Sequence, residues 1–208
     1  KVFKMKNLKL LMIATLALVT ISCADAQWRN RVTGDGNVQK EERKAGEFRG
    51  VSTSSSVDVY LSQGQNHRVV AEADENLLEY IVTEVKNGIL RVYVDDVSIR
   101  RAERLRVYVT IKDVDYISAS SAGDVIGETP IKGDDIKISA SSSGDVKLEV
   151  YANSLSLKTS SAGDIILKGK ADFVEASTSS AGDVKAYELE VREAELSSSS
   201  AGDIRLTV

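Results

Sequence analysis

The chain has 208 residues, a formal net charge of −4 and a hydrophobic fraction of 42%, which suits one globular or solenoidal unit with a continuous apolar core. This mildly acidic balance argues against nucleic acid or an anionic membrane surface as a partner, and we interpret the small basic cluster at Arg100, Arg101, Arg104 and Arg106 as a solvated strand end. One cysteine and one histidine exclude a disulfide framework and any zinc site that needs several such ligands.

Residues 1–26 are predicted to form a signal peptide. Lys4, Lys6 and Lys9 supply a positive charge, and the apolar run of twelve residues that follows, Leu10 to Ile21, is too short to span a bilayer comfortably. Since such a segment directs a protein out of the cytoplasm, we expect the mature chain in the periplasm, on the outer membrane surface or outside the cell.

Two processing sites compete after the apolar run. Ala24-Asp25-Ala26 fits the small-x-small pattern of ordinary signal peptidase cleavage, which we favour. The alternative is lipoprotein processing at Cys23, which would then become the lipidated N-terminus. If Cys23 is lipidated, the lipid anchor there is the expected contact with a membrane. If ordinary cleavage occurs instead, no membrane contact is expected.

The two ends of the chain suggest a further hypothesis. The sequence opens with Lys1, whereas Met5 would begin a better signal peptide, and it stops at Val208 within a strand pattern. We therefore expect that the reading frame is truncated or misassigned at both ends, which the flanking genomic DNA would settle.

The first half of the mature chain predicts irregular β-structure. Residues 27–49 form a polar entry segment, and residues 50–117 begin the β domain. Asp74 to Tyr80 fits one or two helical turns with Asp74 as N-cap, and Lys86-Asn87-Gly88 is a hairpin turn signal. Strands are predicted at Val57–Leu61, Val69–Ala73, Ile89–Val94 and Leu105–Ile111.

The second half is dominated by a repeat. Its five glycines are spaced by 21, 19, 19 and 20 residues, and each follows a serine-rich run. A degenerate copy starts at Ser54, where Val57 replaces the glycine. The repeated pairs are Gly123-Asp124, Gly144-Asp145, Gly163-Asp164, Gly182-Asp183 and Gly202-Asp203.

Apolar residues alternate with polar ones on both sides of each Gly-Asp pair, which predicts strands with one buried face. A repeat near twenty residues is typical of one coil of a parallel β-helix-like solenoid, so residues 118–208 are predicted to form Ser-Gly-Asp coils of an all-β domain spanning 50–208. The glycine serves either a special backbone conformation or a close approach. The inward side chains of one coil are predicted to be Ile136, Ile138, Val146, Leu148 and Val150.

Several segments resemble the family called putative auto-transporter adhesin, head GIN domain, whose members are exported proteins of Gram-negative bacteria. The resemblance covers nearly all of the mature chain and implies an all-β solenoid fold, but it implies little about activity. The segments that carry it, besides the signal peptide and the serial coils, are Gly34-Asp35-Gly36-Asn37-Val38, Phe48-Arg49-Gly50-Val51, Val57-Asp58-Val59-Tyr60-Leu61 and Ala71-Glu72-Ala73-Asp74-Glu75-Asn76-Leu77-Leu78.

Catalysis is not expected, and no catalytic residue is assigned. A serine nucleophile needs a base, but His67, the one histidine, lies in a polar turn before a strand, and no G-x-S-x-G elbow occurs. A polysaccharide lyase or hydrolase needs aromatic side chains along a sugar groove, whereas the aromatic residues make up 5% of the chain and are scattered.

The aspartates of the Gly-Asp pairs are predicted to form a ladder with one member per coil, about 4.8 Å apart. At that spacing neighbouring charges repel by about 1 kcal/mol in water, so turn N–H groups, hydroxyls, solvent or cations must offset the cost. We favour structural hydrogen bonding over bound calcium, since the nonapeptide of calcium-binding β-rolls is missing, and expect no other metal or cofactor. The ladder residues are Asp124, Asp145, Asp164, Asp183 and Asp203.

The sequence thus predicts an exported, non-catalytic β-solenoid protein that acts as an adhesin-like or structural module of the surface or envelope. Its rigid hydroxyl and carboxylate face would meet an unknown surface glycan or protein. One alternative is a carbohydrate-binding or carbohydrate-active envelope protein, which a groove lined by carboxylates and aromatic rings would favour. A second is a self-assembling envelope component that stacks end to end through an open coil.

Overall fold

The structure is a computed structural model that describes residues 30–207. The predicted signal peptide and the possible lipidation site at Cys23 lie outside the described residues. Within the described part of the chain, no helix combines the length and the apolar character that crossing a membrane requires.

Sixteen strands and one short 3-10 helix, Glu75–Tyr80, occur between residues 30 and 207. The strands of the first half are β1 (Asn30–Thr33), β2 (Val38–Arg43), β3 (Gly50–Thr53), β4 (Asp58–Gln63), β5 (Arg68–Asp74), β6 (Ile81–Lys86), β7 (Ile89–Val94), β8 (Val97–Arg101) and β9 (Leu105–Ile111). Those of the second half are β10 (Tyr116–Ala119), β11 (Val125–Gly127), β12 (Ile131–Ser141), β13 (Val146–Ser160), β14 (Ile165–Thr178), β15 (Val184–Ser198) and β16 (Ile204–Thr207).

The long strands β12 to β15 pair side by side in parallel, and each is displaced from the last by one repeat. Val146 in β13 lies opposite Ile165 in β14, which lies opposite Val184 in β15. Eleven strands follow one hydrogen-bonded path, and this sheet is nearly closed into a barrel shape. The predicted all-β class is confirmed.

We use the word layer for two strands that flank a serine-rich turn. The layer of β3 and β4, residues 50–63, contains the degenerate repeat and pairs in parallel with β10 and β11, so that Val51 lies opposite Ile117. On its other side it pairs in parallel with β7 and β9, where Val51 lies opposite Leu90. The spatial order is therefore residues 89–111, then 50–63, then 116–127, which differs from the order along the chain.

Antiparallel strands lie at the start of this stack. β5 pairs with β9 and β2 pairs with β5, while β6 and β7 form a hairpin. The hairpin turn has positive φ at Asn87 (54°) and Gly88 (75°), which confirms the turn signal in the sequence. The 3-10 helix begins after Asp74 as predicted, but the Asp74 side chain does not cap it. Its Oδ2 instead accepts a hydrogen bond from the N–H of Glu103, at 2.9 Å.

The alternating apolar residues form a continuous core between the layers. The five side chains predicted to point inward are all buried, and Lys137 and Lys147, which alternate with them along the strands, are exposed. Each fully buried Val, Leu or Ile side chain contributes about 1.5–3 kcal/mol, so this core is a major source of the stability of the fold.

Candidate functional site

Five serine-rich turns, from Ser54–Val57 to Ser179–Gly182, share one geometry, whereas in the last turn only Ser200 has positive φ. In the turn after β13 the N–H of Gly163 donates to the carbonyl oxygen of Ser160 at 3.0 Å, and the two residues between them, Ser161 and Ala162, have φ of 50° and 63°. Positive φ at both central positions defines a type I′ turn. Short Ser and Ala side chains reduce the steric cost of this backbone region, whereas β-branched residues fit it poorly.

The glycine of each repeat serves a close approach between layers. Among residues 30–207, positive φ occurs at only three glycines, Gly36, Gly88 and Gly169, and none of these belongs to a Gly-Asp pair. A Cβ added at Gly163 would lie 2.4 Å from the backbone nitrogen of Ser141 in the preceding layer. Of the two roles open at the sequence level, the structure therefore supports close packing and not a special conformation.

The predicted aspartate ladder is present as a column of hydrogen bonds. In each layer the Oδ1 atom of the aspartate accepts a bond from the backbone N–H of the aspartate one layer on, at 3.0 to 3.3 Å. The column begins one layer earlier than predicted, at Asp58 of the degenerate repeat. The accepting carboxylates belong to Asp58, Asp124, Asp145, Asp164 and Asp183, and the last donor is the N–H of Asp203.

Basic side chains lie beside this column. Lys185 Nζ is 2.6 Å from Asp164 Oδ2 and 3.5 Å from Asp183 Oδ2, and its hydrogen bond to Asp164 raises the pKa of the Lys185 ammonium. Lys147 lies 3.6 Å from Asp145, and Arg205 lies 3.0 Å from Asp203. Amide donors and these cations together offset the repulsion between carboxylates.

The aspartates of the ladder are also candidate ligands for calcium. Across residues 30–207, no three Asp, Glu, His or Cys side chains are arranged to hold a metal ion. The column is suited to joining layers, because each Oδ1 atom already has a donor. The preference for structural hydrogen bonding over bound calcium stays a prediction.

Asp58 differs from a surface carboxylate. Burial raises the pKa of its carboxyl group above the ordinary value, and the neighbouring charge of Asp124 acts in the same direction. The N–H of Asp124 and the cations of Arg106 and Lys147 act against this shift without cancelling it.

A large concave surface lies at the other end of the strands, away from the serine-rich turns. It is a cavity of about 1210 Å³, lined by residues just before β3, just after β4 and β9, at the β6–β7 turn and early in β12. We call it the corner groove. It was missed at the sequence level because five segments that are distant along the chain form it, and no local signal in any of them shows that they meet.

Opposite charges nearly balance in the corner groove. Arg49 Nε lies 2.8 Å from Asp115 Oδ2, and this hydrogen bond raises the pKa of the Arg49 guanidinium, with smaller contributions from Asp113 and Asp134. The charged side chains that line the groove are five acidic ones, Glu47, Asp113, Asp115, Asp134 and Asp135, and four basic ones, Arg49, Lys112, Lys132 and Lys137.

His67 also lines the corner groove. Its ring packs on Phe48, with ring centroids 4.4 Å apart, and within the described residues its Nδ1 atom has no hydrogen-bond partner. The predicted position in a loop before a strand is confirmed, although the ring is half-buried and not fully on the surface. Together with Tyr116 it gives the groove aromatic as well as carboxylate groups.

Comparison with known proteins shows which family has this architecture. Residues 47–208 match the family model described as putative auto-transporter adhesin, head GIN domain. The chain belongs to this family. The matched region of the head GIN domain contains the whole aspartate column and the corner groove.

Solved structures share the head GIN fold. A protein described as a putative adhesin from Bacteroides fragilis aligns with a TM-score of 0.78 and 21% identity, covering 83% of this chain and 81% of the other. A protein described as a putative lipid binding protein from Parabacteroides distasonis aligns with a TM-score of 0.66 and 24% identity, covering 85% of each chain. A putative adhesin from Parabacteroides merdae gives 0.63 and 19%, covering 85% and 84%. No curated protein matches the sequence.

Proposed function

We propose that this head GIN protein is an exported, non-catalytic adhesin-like module that binds a surface glycan or protein in its corner groove. The observation that carries the proposal is the groove itself, which places nine charged side chains around a cavity of about 1210 Å³. A concave, polar surface on a stacked β scaffold suits recognition of a partner. Its place of action is the periplasm, the outer membrane surface or the cell exterior.

The scaffold is proposed to be a parallel β-helix-like solenoid. Support comes from the parallel pairing of β12 to β15 with a displacement of one repeat, and from the repeated type I′ turns. Because each layer is joined to the next by backbone bonds and by an aspartate, such a scaffold holds the groove residues in fixed positions.

The groove is a better binding surface than the aspartate column. Each accepting carboxylate in the column already receives an amide bond, and Lys185 takes the second oxygen of Asp164. A partner would have to displace these contacts. In the groove, by contrast, Asp113 and Asp135 are exposed side chains.

A non-catalytic role is supported by the surroundings of His67. Its ring packs on Phe48, and within residues 30–207 it forms no hydrogen bond to a serine hydroxyl that could act as a nucleophile. A carbohydrate-active enzyme is the alternative that the groove carboxylates favour, since such enzymes use paired acidic groups. Release of reducing sugar from a glycan panel would support that alternative.

The proposal can be tested by binding of the mature chain to arrays of glycans and matrix proteins, with calcium and with a chelator. We expect binding that survives chelation, is lost in an Asp113→Asn/Asp134→Asn variant and is kept in an Asp145→Asn/Asp183→Asn variant. Loss of binding only in the second variant would indicate that the aspartate column is the binding face. Absence of binding, with particle size rising with concentration in light scattering, would favour the self-assembling component.

A further inference from the structure

A second depression lies next to the corner groove. It has a volume of about 280 Å³ and is lined mainly by residues of β7, β3 and β10 that face away from the core, together with Glu84 of β6 and the buried Val92. We call it the outer slot. Its polar side chains include Ser52, Ser54, Arg91, Tyr93 and Ser120.

The groove and the slot share one wall. Ile89 and Tyr116 line both depressions, and Gly50 lies between them in register, opposite each one. A Cβ at Gly50 would lie 3.0 Å from Tyr116 Cβ and 3.1 Å from Ile89 Cγ1. Gly50 is itself buried, so the side chains of Ile89 and Tyr116 leave no open space above it and form an apolar wall that the two depressions share.

The charges along this path favour an uncharged partner. The groove has five acidic and four basic side chains, and the slot adds Glu84 and Arg91, one of each sign. A polyanion or a polycation would meet like charges at many points. A hydrocarbon chain would leave the charged and hydroxyl groups without hydrogen bonds. Sugar hydroxyls can both donate to the carboxylates and accept from the cations, and sugar C–H faces suit the wall formed by Tyr116.

We propose, building on the proposed function, that the corner groove and the outer slot form one elongated site for a linear, uncharged glycan that passes over the shared side chains of Ile89 and Tyr116. Several sugar units occupy the groove, and the chain continues into the slot, where Arg91 binds it. Recognition therefore depends on glycan length as well as on composition.

The test measures calorimetric binding of malto- and chito-oligosaccharides, from disaccharide to octasaccharide, to the full mature chain. We expect affinity to rise with length until the slot is filled. Arg91→Ala should weaken binding of the longest oligosaccharides about tenfold and leave the disaccharides unchanged, because it removes a charged hydrogen-bond donor from the slot alone. Lys112→Ala, in the groove alone, should weaken all lengths.

Two substitutions at Tyr116 separate its ring from its hydroxyl. Tyr116→Ala should weaken the long oligosaccharides, while Tyr116→Phe should keep their binding because the apolar wall is intact. Equal melting temperatures of the variants and the parent chain would show that folding is unchanged.

The outcomes separate this inference from the proposed function. Equal affinity for all lengths, or no effect of Arg91→Ala on the longest ones, would overturn the elongated site and leave groove binding in place. Binding of a matrix protein but of no oligosaccharide would refute a glycan as the ligand and would still support the adhesin-like role. If neither binds, both proposals fail.

Discussion

The Oδ1 atom of Asp145 accepts a hydrogen bond from the backbone N–H of Asp164, 3.1 Å away in the next layer. The carbonyl oxygen of Asp164 in turn accepts a bond from the N–H of Val146, at 2.9 Å. Neighbouring layers are thus joined at this point through the side chain in one direction and through the backbone in the other. This repeated geometry gives the Asp that follows Gly in each repeat a structural role that does not require binding of a partner.

Replacing Asp145 by Ala should destabilise the protein by about 1–2 kcal/mol, because the N–H of Asp164 loses its acceptor. Asp145→Asn keeps a side-chain oxygen and should cost less. Denaturant unfolding measures both. Asp172→Ala, at an exposed residue 4.0 Å from Arg192, is the control and should change the free energy of unfolding by less than about 0.5 kcal/mol. Equal losses for Ala and Asn at position 145 would point to the charge and not the hydrogen bond.

Gly163→Ala should destabilise the protein by about 2–3 kcal/mol, because the added Cβ would overlap the backbone of Ser141 and push two layers apart. Gly46→Ala is a matched control, since a Cβ there meets nothing within 4 Å and the residue has no positive φ. It should be neutral or slightly stabilising. Thermal unfolding of both variants measures the difference; a similar loss at both positions would refute the close-approach role.

Thr159→Val should stabilise the protein by about 1 kcal/mol. The Thr159 side chain is buried, and within the described residues its Oγ1 finds no hydrogen-bond partner, so removing the hydroxyl relieves a desolvation cost. Thr53→Val makes the same chemical change where the hydroxyl donates to the carbonyl oxygen of Val57, and should destabilise by a similar amount. Chemical denaturation of the pair gives the test, and a loss of stability at Thr159 would contradict it.

The raised pKa of the Asp58 carboxyl predicts a pH dependence of stability. In the unfolded chain an Asp ionises near pH 3.9, whereas in the folded chain Asp58 holds its proton to higher pH. Its contribution to stability is therefore most favourable below the unfolded pKa and declines as pH rises through the folded pKa.

Asp58→Asn should remove that decline, because Asn keeps the oxygen that accepts the N–H of Asp124 but does not ionise. The free energy of unfolding of the variant, relative to the parent chain, should improve as pH rises from about 3.9 and then level off above the folded pKa. Unfolding curves between acid and neutral pH measure this. A relative stability that falls as pH rises would have the wrong sign.

The regular half of the fold was predictable because its signals are local. Alternation at Ile136, Ile138 and Leu148 identifies the inward face, and the spacing of the Gly-Asp pairs gives the displacement between paired strands. The column of aspartates follows from the same spacing. Asp58 was left out only because Val57 replaces the glycine of its repeat.

The order of the layers was not predictable from the same signals. An apolar face on β3 shows that the strand is buried, but not whether Leu90 or Ile117 lies against Val51. The corner groove was not predictable for the same reason, since its lining residues come together only when these layers are stacked. The turn that contains His67 was predictable from neighbouring residues. The packing of its ring on Phe48 was not, because Phe48 lies nineteen positions away in the sequence.

The position of residues 50–63 in the middle of the stack has a consequence for biosynthesis. A chain made from its N-terminus exposes both apolar edges of this layer until residues 89–111 cover one and residues 116–127 cover the other. We expect ribosome-bound chains that end before residue 127 to be digested readily by protease, and chains one repeat longer to be protected. From that point each later repeat is added on one side of the stack only, so the middle layer is complete before the outer repeats are made.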